Sequence, residues 1–256
     1  MLQDERYCFR NSLMETKQTE KQRLQELQDN FSSHDGFNAQ LIDMRFRSLK
    51  EWVDPKSSCL ELGSADGRMT ERLLEHAPDL TAVDGSPAYC ERLEEKFPEL
   101  EVVCSLFEEF LPEKKYQTII LGHVLEHVED PVAILRHVCD HLLAPGGTAI
   151  ISVPNANSMH RQVGVVMGLL EKTTDLNEAD LRIGHRRVYT FETLTNDIVE
   201  AGLLVEAKQG VFLKPVSNYQ IESDWSDELI EAYYQLGKQY NELCADLMVV
   251  ARKQSE

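Results

Sequence analysis

A glycine turn flanked by acidic residues is the stretch of this sequence whose chemistry is most specific. In "LELGSADGRMT", Glu61 precedes the turn formed by residues 63–67, and Asp66 lies inside it. A dinucleotide-binding turn reads G-x-G-x-x-G and a phosphate-binding loop reads G-x-x-x-x-G-K-[ST]. Neither pattern is present, because the glycines are spaced G-x-x-x-G and no lysine follows. Since carboxylates repel a pyrophosphate, the turn is better suited to a ligand with a cationic part.

A second carboxylate, Asp84, ends the next apolar run about 20 residues after the turn. At such a position an acidic side chain accepts hydrogen bonds from ribose hydroxyls. We therefore expect a ligand that contains a ribose. After the third apolar run, Ser105, Leu106 and Phe107 are placed to flank an adenine.

Seven apolar runs are predicted to be strands, and the early ones alternate with amphipathic helices. The predicted strands are Cys59–Leu62, Leu80–Asp84, Glu101–Cys104, Tyr116–Leu121, Thr148–Val153, Leu204–Val211 and Asp246–Ala251. The predicted helices lie near Met69–His76, Pro87–Lys96 and Pro131–Leu143. Because parallel neighbours need long crossover connections, this alternation predicts an α/β fold with a mostly parallel sheet and helices on both faces.

The end of the chain breaks the alternation. A helix that begins after the N-cap Ser226 separates the last two strands, so the final strand is expected to return antiparallel beside its predecessor. Residues 154–189 are interpreted as a lid insertion after strand 5, because they are too many for a simple loop. Residues 213–244 are interpreted as a helical insertion. We assign residues 1–45 to an N-terminal helical cap and residues 46–256 to the main domain.

Taken together, the motifs resemble those of a known enzyme family. "LELGSADGRMT", "AVDGS" and "LGHVLEHVEDPVAILRHVCDHLLAPGG" follow one another as in class I S-adenosylmethionine-dependent methyltransferases. The chain is similar to the small-molecule group that includes the ubiquinone-biosynthesis methyltransferases, over residues 59–155 and, more weakly, over "GHRRVYTFETLTNDIVEAGL". The resemblance implies a Rossmann-like fold, S-adenosylmethionine as donor, S-adenosylhomocysteine as product and a small-molecule acceptor.

Carried over position by position, the resemblance implies a donor site built from the ends of four strands. Its residues are Glu61, Gly63, Ser64 and Gly67 at the first turn, Asp84, Gly85 and Ser86 at the ribose turn, Ser105, Leu106 and Phe107 at the adenine, and Leu121, Gly122 and His123 at the methionine end. Arg45, on a predicted helix before the first strand, matches the arginine that holds the donor's carboxylate. The alternative is that Arg45 and Arg47 are ordinary surface ion-pair partners.

Three positions depart from the family's usual residues. Ala65 replaces the middle glycine of the turn, Ser105 replaces an acidic residue beside the adenine, and Gln117 replaces an aspartate at the start of the fourth strand. None of these changes removes the donor site, but together they alter its contacts.

Catalysis of methyl transfer needs positioning more than a nucleophile, since holding the reactants in line can contribute ~7–11 kcal/mol. A hydroxyl acceptor is helped by a base, and histidine has a suitable pKa. His123, at the end of the fourth strand, and His185, in the lid, are the candidate catalytic residues. For His123 the alternative is that it holds a loop. For Glu126, action on a substrate and capping of a helix are equally expected. His127 is interpreted as a packing or hydrogen-bonding residue.

The lid differs in charge from the rest of the chain. Residues 154–189 carry a formal charge of +1, against -19 for the remainder. The candidate substrate-binding residues are His160, Arg161, Arg186, Arg187 and Tyr189. Because arginine binds phosphate and carboxylate in a bidentate manner, we expect an anionic acceptor, such as a phosphorylated metabolite, a nucleotide-linked sugar or a carboxylate. If the arginines instead pair with nearby glutamates, the acceptor is neutral. A predicted lid helix has Val163, Val166, Met167 and Leu170 on its apolar face, and these residues are expected to pack into the core.

Composition narrows the remaining possibilities. A net charge of -18 disfavours a nucleic-acid partner. The apolar runs fall short of the ~20 residues that cross a bilayer, and the N-terminus does not resemble an export signal. We therefore expect a cytoplasmic protein without a membrane partner. The six cysteines lack the spacing of a zinc or redox site, so reduced thiols and no metal are expected.

Two other functions stay open at this stage. A nicotinamide-dependent oxidoreductase uses a similar sheet but is disfavoured by the acidic turn, and a non-catalytic S-adenosylmethionine-binding domain would keep the same motifs. The sequence does not decide whether oxygen, nitrogen or carbon is methylated, because fold alone does not assign an acceptor. The sequence does not fix the oligomeric state, and it is compatible with a homodimer.

Overall fold

The computed structural model describes residues 20, 22–24, 27, 32–34 and 36–253. The described residues between 20 and 27 are helical. The first 19 residues lie outside the described part of the chain. They belong to the segment that we assigned to the helical cap, and they include Cys8.

A single seven-stranded sheet organises the described residues, in the order β3-β2-β1-β4-β5-β7-β6. The strands are β1 Cys59–Leu62, β2 Leu80–Asp84, β3 Glu101–Cys104, β4 Tyr116–Gly122, β5 Leu143–Pro154, β6 Leu204–Val211 and β7 Asp246–Arg252. The first five pair in parallel, whereas β7 runs antiparallel between β5 and β6. The predicted fold class, including the antiparallel last strand, is confirmed.

Nine α-helices connect or cover the strands between residues 36 and 253, in addition to the described helical residues before them. They are α1 Gly36–Leu49, α2 Arg68–His76, α3 Pro87–Lys96, α4 Pro131–His137, α5 Met159–Val166, α6 Glu178–Arg182, α7 Phe191–Glu200, α8 Asn218–Asp224 and α9 Asp227–Gly237. The predicted N-cap Ser226 is confirmed, since its side chain accepts a hydrogen bond from the backbone N–H of Leu229. The helix predicted up to Leu143 changes after His137 into a π-helical turn, Val138–Leu142.

The core consists of one apolar layer on each face of the sheet. Along β4, Ile119 and Leu121 belong to one layer and Ile120 to the other. This alternation follows from the two-residue period of a strand. Burial on both faces fixes the register of the central strands, so the residues that follow them are held in defined places at the carboxyl edge.

The lid segment packs differently from the prediction. Val163, Val166 and Met167, expected in the core, are 42%, 89% and 66% exposed, so the prediction was wrong for these three residues, whereas Leu170 is partly buried. Helix α5 instead turns Arg161 and Gly164 inward. The reason is the side chain of Arg161, which reaches buried acceptors, including a carboxylate oxygen of Asp180 at 3.0 Å.

Among the described residues, no helix is both long and apolar enough to span a membrane.

Candidate active site

A cavity of about 470 Å³ lies at the carboxyl ends of β1, β2 and β4. This volume falls within the range of ~300–1,000 Å³ that small-molecule sites occupy. Strand β1 has β2 on one side and β4 on the other, so the cavity is at the point where strand order reverses, the usual ligand position in an open α/β sheet. Residues of α1 and the described helical residues before it complete its wall.

The glycine turn after β1 needs the conformational freedom of its glycines. Gly63 and Gly67 have φ values of 81° and 87°, and a Cβ atom on Gly63 would lie 2.8 Å from Cγ2 of Val124. A larger residue at position 63 would therefore clash as well as strain the backbone. Ala65, where the family has a glycine, also adopts a left-handed conformation, with φ of 47°, at some steric cost. Its N–H donates to Oδ2 of Asp84 at 3.0 Å.

Asp84 presents a nearly buried carboxylate to the cavity. The side chain accepts hydrogen bonds from the backbone N–H groups of Ala65, at 3.0 Å, and Ser86, at 2.9 Å. Burial raises its pKa to about 6, although these backbone donors act in the opposite direction. A carboxylate has about four lone-pair sites, so Asp84 retains acceptor capacity for hydroxyl groups in the cavity.

Glu61 is the second buried carboxylate of the lining. Its Oε2 atom accepts a hydrogen bond of 2.6 Å from the hydroxyl of Thr70. Burial raises the pKa of Glu61 to about 8, with the charge of Asp84 adding to the rise and the Thr70 hydroxyl opposing it. Two neighbouring acidic groups of this kind favour a ligand that brings a positive charge, because such a charge stabilises their ionised forms.

A chain of alternating charges runs from α1 to the loop after β4, and its members Arg45 and His123 line the cavity. Nε of Arg45 lies 2.5 Å from Oδ2 of Asp246, whose Oδ1 is 3.5 Å from Nε2 of His123. Nδ1 of His123 is in turn 3.1 Å from Oε1 of Glu126. Burial and the charge of Arg45 oppose protonation of His123, but the two carboxylates outweigh them and raise its pKa. Both ring nitrogens of His123 thus face carboxylates.

Glu126, His127 and His185 lie close together, and the two histidines line the cavity. One potential ligand atom from each residue lies within 4.8 Å of the others. The rings of His127 and His185 are in edge-to-face contact, with centroids 4.8 Å apart. Burial lowers the pKa of His127 to about 4. Nδ1 of His185 lies 3.3 Å from Oδ1 of Asp180.

Arg186 and Arg187 hold the backbone of the loop that carries Glu126 and His127. The backbone N–H of Arg186 donates to the carbonyl of Glu126 at 2.8 Å, and its Nε donates to the carbonyl of His127 at 2.9 Å. The guanidinium of Arg187 donates to three further carbonyls, those of Leu125, Val128 and Glu129. Five successive carbonyls of the loop are therefore bound by two adjacent residues of the lid segment. We call this arrangement the carbonyl clamp.

Residues 34–208, more than half of the chain, match the sequence profile of a family described as "Methyltransferase domain". The chain belongs to this methyltransferase family. It is an enzyme that uses S-adenosylmethionine as its cofactor. No curated protein sequence matches this methyltransferase.

Solved structures share the fold of the methyltransferase at low sequence identity. An S-adenosylmethionine-dependent methyltransferase from Mesorhizobium loti is 18% identical, with a TM-score of 0.60 over 83% of this chain and 100% of that one. The N-methyltransferase NodS from Bradyrhizobium japonicum, in complex with S-adenosylhomocysteine, is 18% identical, with a TM-score of 0.54 over 88% and 91%. The 1,6-didemethyltoxoflavin-N1-methyltransferase from Burkholderia thailandensis, solved with 1,6-didemethyltoxoflavin and S-adenosylhomocysteine, is 17% identical, with a TM-score of 0.54 over 84% and 79%.

Many of the site residues that the sequence predicted line the cavity of the methyltransferase. Those that line it are Arg45, Glu61, Gly63, Ser64, Asp84, Gly85, Ser86, Leu106, Phe107, Gly122, His123 and His185. Gly67, Ser105 and Leu121 belong to the same strand ends but lie outside the lining. Leu121 is fully buried in the core instead.

The five candidate substrate-binding residues lie outside the lining of the cavity. Arg186 and Arg187 form the carbonyl clamp, and Arg161 is buried against Asp180. The hydroxyl of Tyr189 donates to Asp197 at 3.1 Å. The backbone N–H of His160 bonds to the carbonyl of Lys214, and its Nδ1 atom is buried without a hydrogen bond to any described residue.

Several residues that line the cavity were not predicted from the sequence. Asn38 and Ile42 of α1 line the cavity together with Arg45. Their spacing, four and three residues apart, places them on one helical face, so the position of Arg45 was the signal that could have revealed them. His127 also lines the cavity, although its spacing from His123 favoured a packing role.

Proposed function

We propose that this methyltransferase binds S-adenosylmethionine across the carboxyl ends of β1, β2 and β4 and methylates a small molecule that enters beside His127 and His185. The observation that carries the proposal is the pair of buried carboxylates, Glu61 and Asp84, in one cavity of ligand size. A nicotinamide dinucleotide would bring a pyrophosphate beside Glu61. A sulfonium donor brings a positive charge and a ribose instead, which suit both groups.

Each part of the proposed donor site has a distinct task. Asp84 accepts hydrogen bonds from the ribose hydroxyls, and Gly63 lets the backbone approach the ligand closely. Leu106 and Phe107 offer apolar surface to the base. When bound, the cofactor supplies a methyl group on a positively charged sulfur. The residues of the chain need only hold this group in line with the acceptor and exclude water.

His123 is proposed to position the site rather than to remove a proton. Both of its ring nitrogens face carboxylates, at 3.1 Å and 3.5 Å, and neither is directed to an acceptor. His123 also has a left-handed backbone, with φ of 59°, which is uncommon for a residue with a side chain. Of the two histidines that the sequence indicated, His185 is therefore the one that we propose to contact the acceptor.

The acceptor is proposed to carry no net negative charge. An anionic acceptor was expected from the arginines of the lid, but Arg161, Arg186 and Arg187 already bind protein carboxylates and carbonyls. The cavity lining also includes four partly exposed or exposed acidic residues: Glu20, Glu108, Glu129 and Asp130. A neutral or cationic molecule with a hydroxyl or amine group is favoured by this distribution of charge.

A metabolite screen tests this proposal. The protein is incubated with isotopically labelled S-adenosylmethionine and a small-molecule extract that has been divided by anion exchange, and the products are identified by mass. We expect the labelled methyl group in a product from the unretained fraction. A product from the retained, anionic fraction would contradict the proposed acceptor charge. Binding of S-adenosylhomocysteine without any labelled product would favour a non-catalytic domain.

A further inference from the structure

We propose that Glu126, His127 and His185 bind one divalent transition-metal ion at the acceptor end of the cavity. The three residues come from two segments: Glu126 and His127 follow β4, whereas His185 follows α6. Their potential ligand atoms lie within 4.8 Å of one another. Imidazole nitrogens and carboxylate oxygens lie roughly 2.0–2.2 Å from zinc, so ligand atoms at tetrahedral or trigonal angles on one ion are about 3.3–3.8 Å apart. Closing the site therefore requires the ligand atoms to approach one another by up to roughly 1–1.5 Å, which side-chain rotation supplies.

The chemistry of the three side chains favours one class of cation. Two imidazoles and one carboxylate hold zinc in sites that keep a further position open. The same set binds other divalent transition metals, whereas magnesium and calcium prefer oxygen ligands throughout. A transition-metal ion is therefore the expected occupant.

The carboxylate of Glu126 gives independent support, because its Oε2 atom is buried without a partner in the described part of the chain. Its side chain is fully buried, and neither oxygen makes a hydrogen bond to any described residue. The contact of 3.1 Å with His123 lacks the alignment of a hydrogen bond, and it involves Oε1 alone. An ionised carboxylate in such a place is costly unless it is paired or coordinates a metal. Ion pairing to His123 leaves Oε2 unexplained, whereas a cation between the three residues satisfies it.

His185 has a carboxylate near its Nδ1 atom, in the place of the second partner of a metal-binding histidine, at a distance of 3.3 Å and without a hydrogen bond. Such histidines commonly direct their other ring nitrogen towards a carboxylate or a carbonyl, which fixes the orientation of the ring. Nδ1 of His185 lies 3.3 Å from Oδ1 of Asp180, and Oδ2 of Asp180 accepts a hydrogen bond from Arg161 at 3.0 Å. Asp180 is thus held in place to orient His185, with the other ring nitrogen left for a ligand.

The carbonyl clamp fixes the other two ligands. Because Arg186 and Arg187 bind five successive carbonyls around Glu126 and His127, the backbone of both residues is held before any cation arrives. Preorganisation of this kind reduces the entropy that binding costs.

A cation at this position would give the acceptor end a chemical function, and this consequence alone rests on the proposed methyl transfer. A divalent ion lowers the pKa of a hydroxyl held beside it. The acceptor then gives its proton to water. Its oxygen forms a bond to the methyl carbon as the carbon–sulfur bond breaks, and S-adenosylhomocysteine leaves without the positive charge on sulfur.

The test is a titration of chelator-treated protein with Co²⁺ and Zn²⁺. A surface pair must be removed first, since the rings of His137 and His141 lie 5.1 Å apart and could bind the same ions. In a His141→Ala background we expect one equivalent of Co²⁺ to bind, with the intense visible absorption of low-coordinate cobalt. Glu126→Gln, His127→Asn and His185→Asn should each weaken binding by at least about 100-fold, and Asp180→Asn by about 10–100-fold.

Two controls keep the result decisive. Affinity for S-adenosylhomocysteine is measured in each variant, because the donor residues are separate and an intact donor site shows that the variant is folded. X-ray absorption at the zinc edge, on the protein without any substitution in the cluster, should show two imidazole ligands and oxygen. Absence of a bound equivalent, affinity that the four variants leave unchanged, or a zinc spectrum without imidazole would overturn the proposal. Metal binding without methyl transfer would instead contradict the proposed function.

Discussion

Asp84 is the residue on which the proposed donor site depends most directly. It accepts hydrogen bonds from two backbone N–H groups and retains acceptor capacity towards the cavity. Asp84→Asn keeps the size of the side chain but removes the charge, so it should lose a charge-assisted contact worth about 1.5–3 kcal/mol. We expect affinity for S-adenosylhomocysteine, measured by calorimetry, to fall roughly 10- to 150-fold.

Asp79→Asn is the matched control for this substitution, because Asp79 precedes the same strand and is exposed. It should leave the affinity unchanged. A folded Asp84→Asn variant with undiminished affinity would mean that the ribose does not bind at Asp84.

Glu61 makes the stability of the ligand-free protein depend on pH. Its pKa is about 8 in the folded protein, against an ordinary value of 4.5. The unfolded chain releases this proton at lower pH than the folded protein does, so the free energy of unfolding falls as pH rises from about 4.5 to about 8. Glu61→Gln cannot ionise and escapes this loss. We therefore expect its melting temperature, relative to that of the unsubstituted protein, to increase across this range.

Glu75→Gln serves as the control, since Glu75 is 63% exposed. Its melting temperature should follow that of the unsubstituted protein at every pH. If the difference in melting temperature between Glu61→Gln and the unsubstituted protein stays constant between about pH 5 and about pH 8.5, the pKa of Glu61 is not raised.

At the scale of elements, one buried ion pair joins α1 to β7. Arg45 and Asp246 are 13% and 6% exposed, and their contact is 2.5 Å. Arg45→Met leaves the buried carboxylate of Asp246 with only its longer contact to His123, so we expect the free energy of unfolding in urea to fall by up to about 3–5 kcal/mol. Adding Asp246→Asn removes the uncompensated charge and should restore much of that loss.

Arg47→Met is the natural comparison, because Arg47 lies on the same helix in an exposed ion pair with Glu231. It should cost no more than about 1 kcal/mol. If the losses from Arg45→Met and Asp246→Asn simply add, the two side chains are not coupled. A stable double variant with weakened affinity for S-adenosylhomocysteine would support the role of Arg45 in holding the donor's carboxylate.

The carbonyl clamp joins the lid segment to the loop after β4. Lysine is a point charge and cannot reproduce the three hydrogen bonds of the Arg187 guanidinium. Arg187→Lys should therefore loosen the lid segment. We expect faster hydrogen exchange, measured by mass spectrometry, in peptides that cover residues 184–189, where the N–H of Arg186 is bonded to Glu126.

Arg182→Lys, at an exposed position in α6, is the control and should not change exchange in that peptide. Equal protection of residues 184–189 in both variants would show that Arg187 does not hold the loop.

The elements predicted from the sequence are those whose signals are local. Strands β1, β2 and β3 have the predicted bounds, because each is a short apolar run between turn residues. Strand β5 begins at Leu143 instead of Thr148, since Leu143 pairs with Tyr116, a contact that no local pattern shows. The orientation of α5 was missed for a similar reason. It depends on the bond between Arg161 and Asp180, which lie in different helices.

The same limit applies to the candidate site. The donor residues follow strands, so the parallel order of the sheet was enough to bring them together. The approach of His185 to Glu126 and His127 depends on the path of the whole lid segment, and neither spacing nor composition encodes that path. Because the three residues are brought together by this path, the spacing of cysteines and histidines in the sequence did not indicate a metal site.

At the scale of the whole molecule, charge favours the donor over the product. The chain has a net charge of -18, and most of the charged residues in the cavity lining are acidic. A strongly acidic protein attracts cations over distances that ionic strength limits. Transfer of the methyl group removes the positive charge from sulfur, so the product is held less strongly than the donor was.

The domain boundary between residues 45 and 46 stays a prediction. The lid function of residues 154–189 also stays a prediction.

We propose that the cavity beside the acidic glycine turn binds the adenosyl donor and not a dinucleotide. The most direct measurement is calorimetric titration of the unsubstituted protein with S-adenosylhomocysteine and, separately, with NADH. We predict one S-adenosylhomocysteine bound per chain and no measurable heat with NADH. Binding of NADH, or no binding of S-adenosylhomocysteine by the folded protein, would contradict the account.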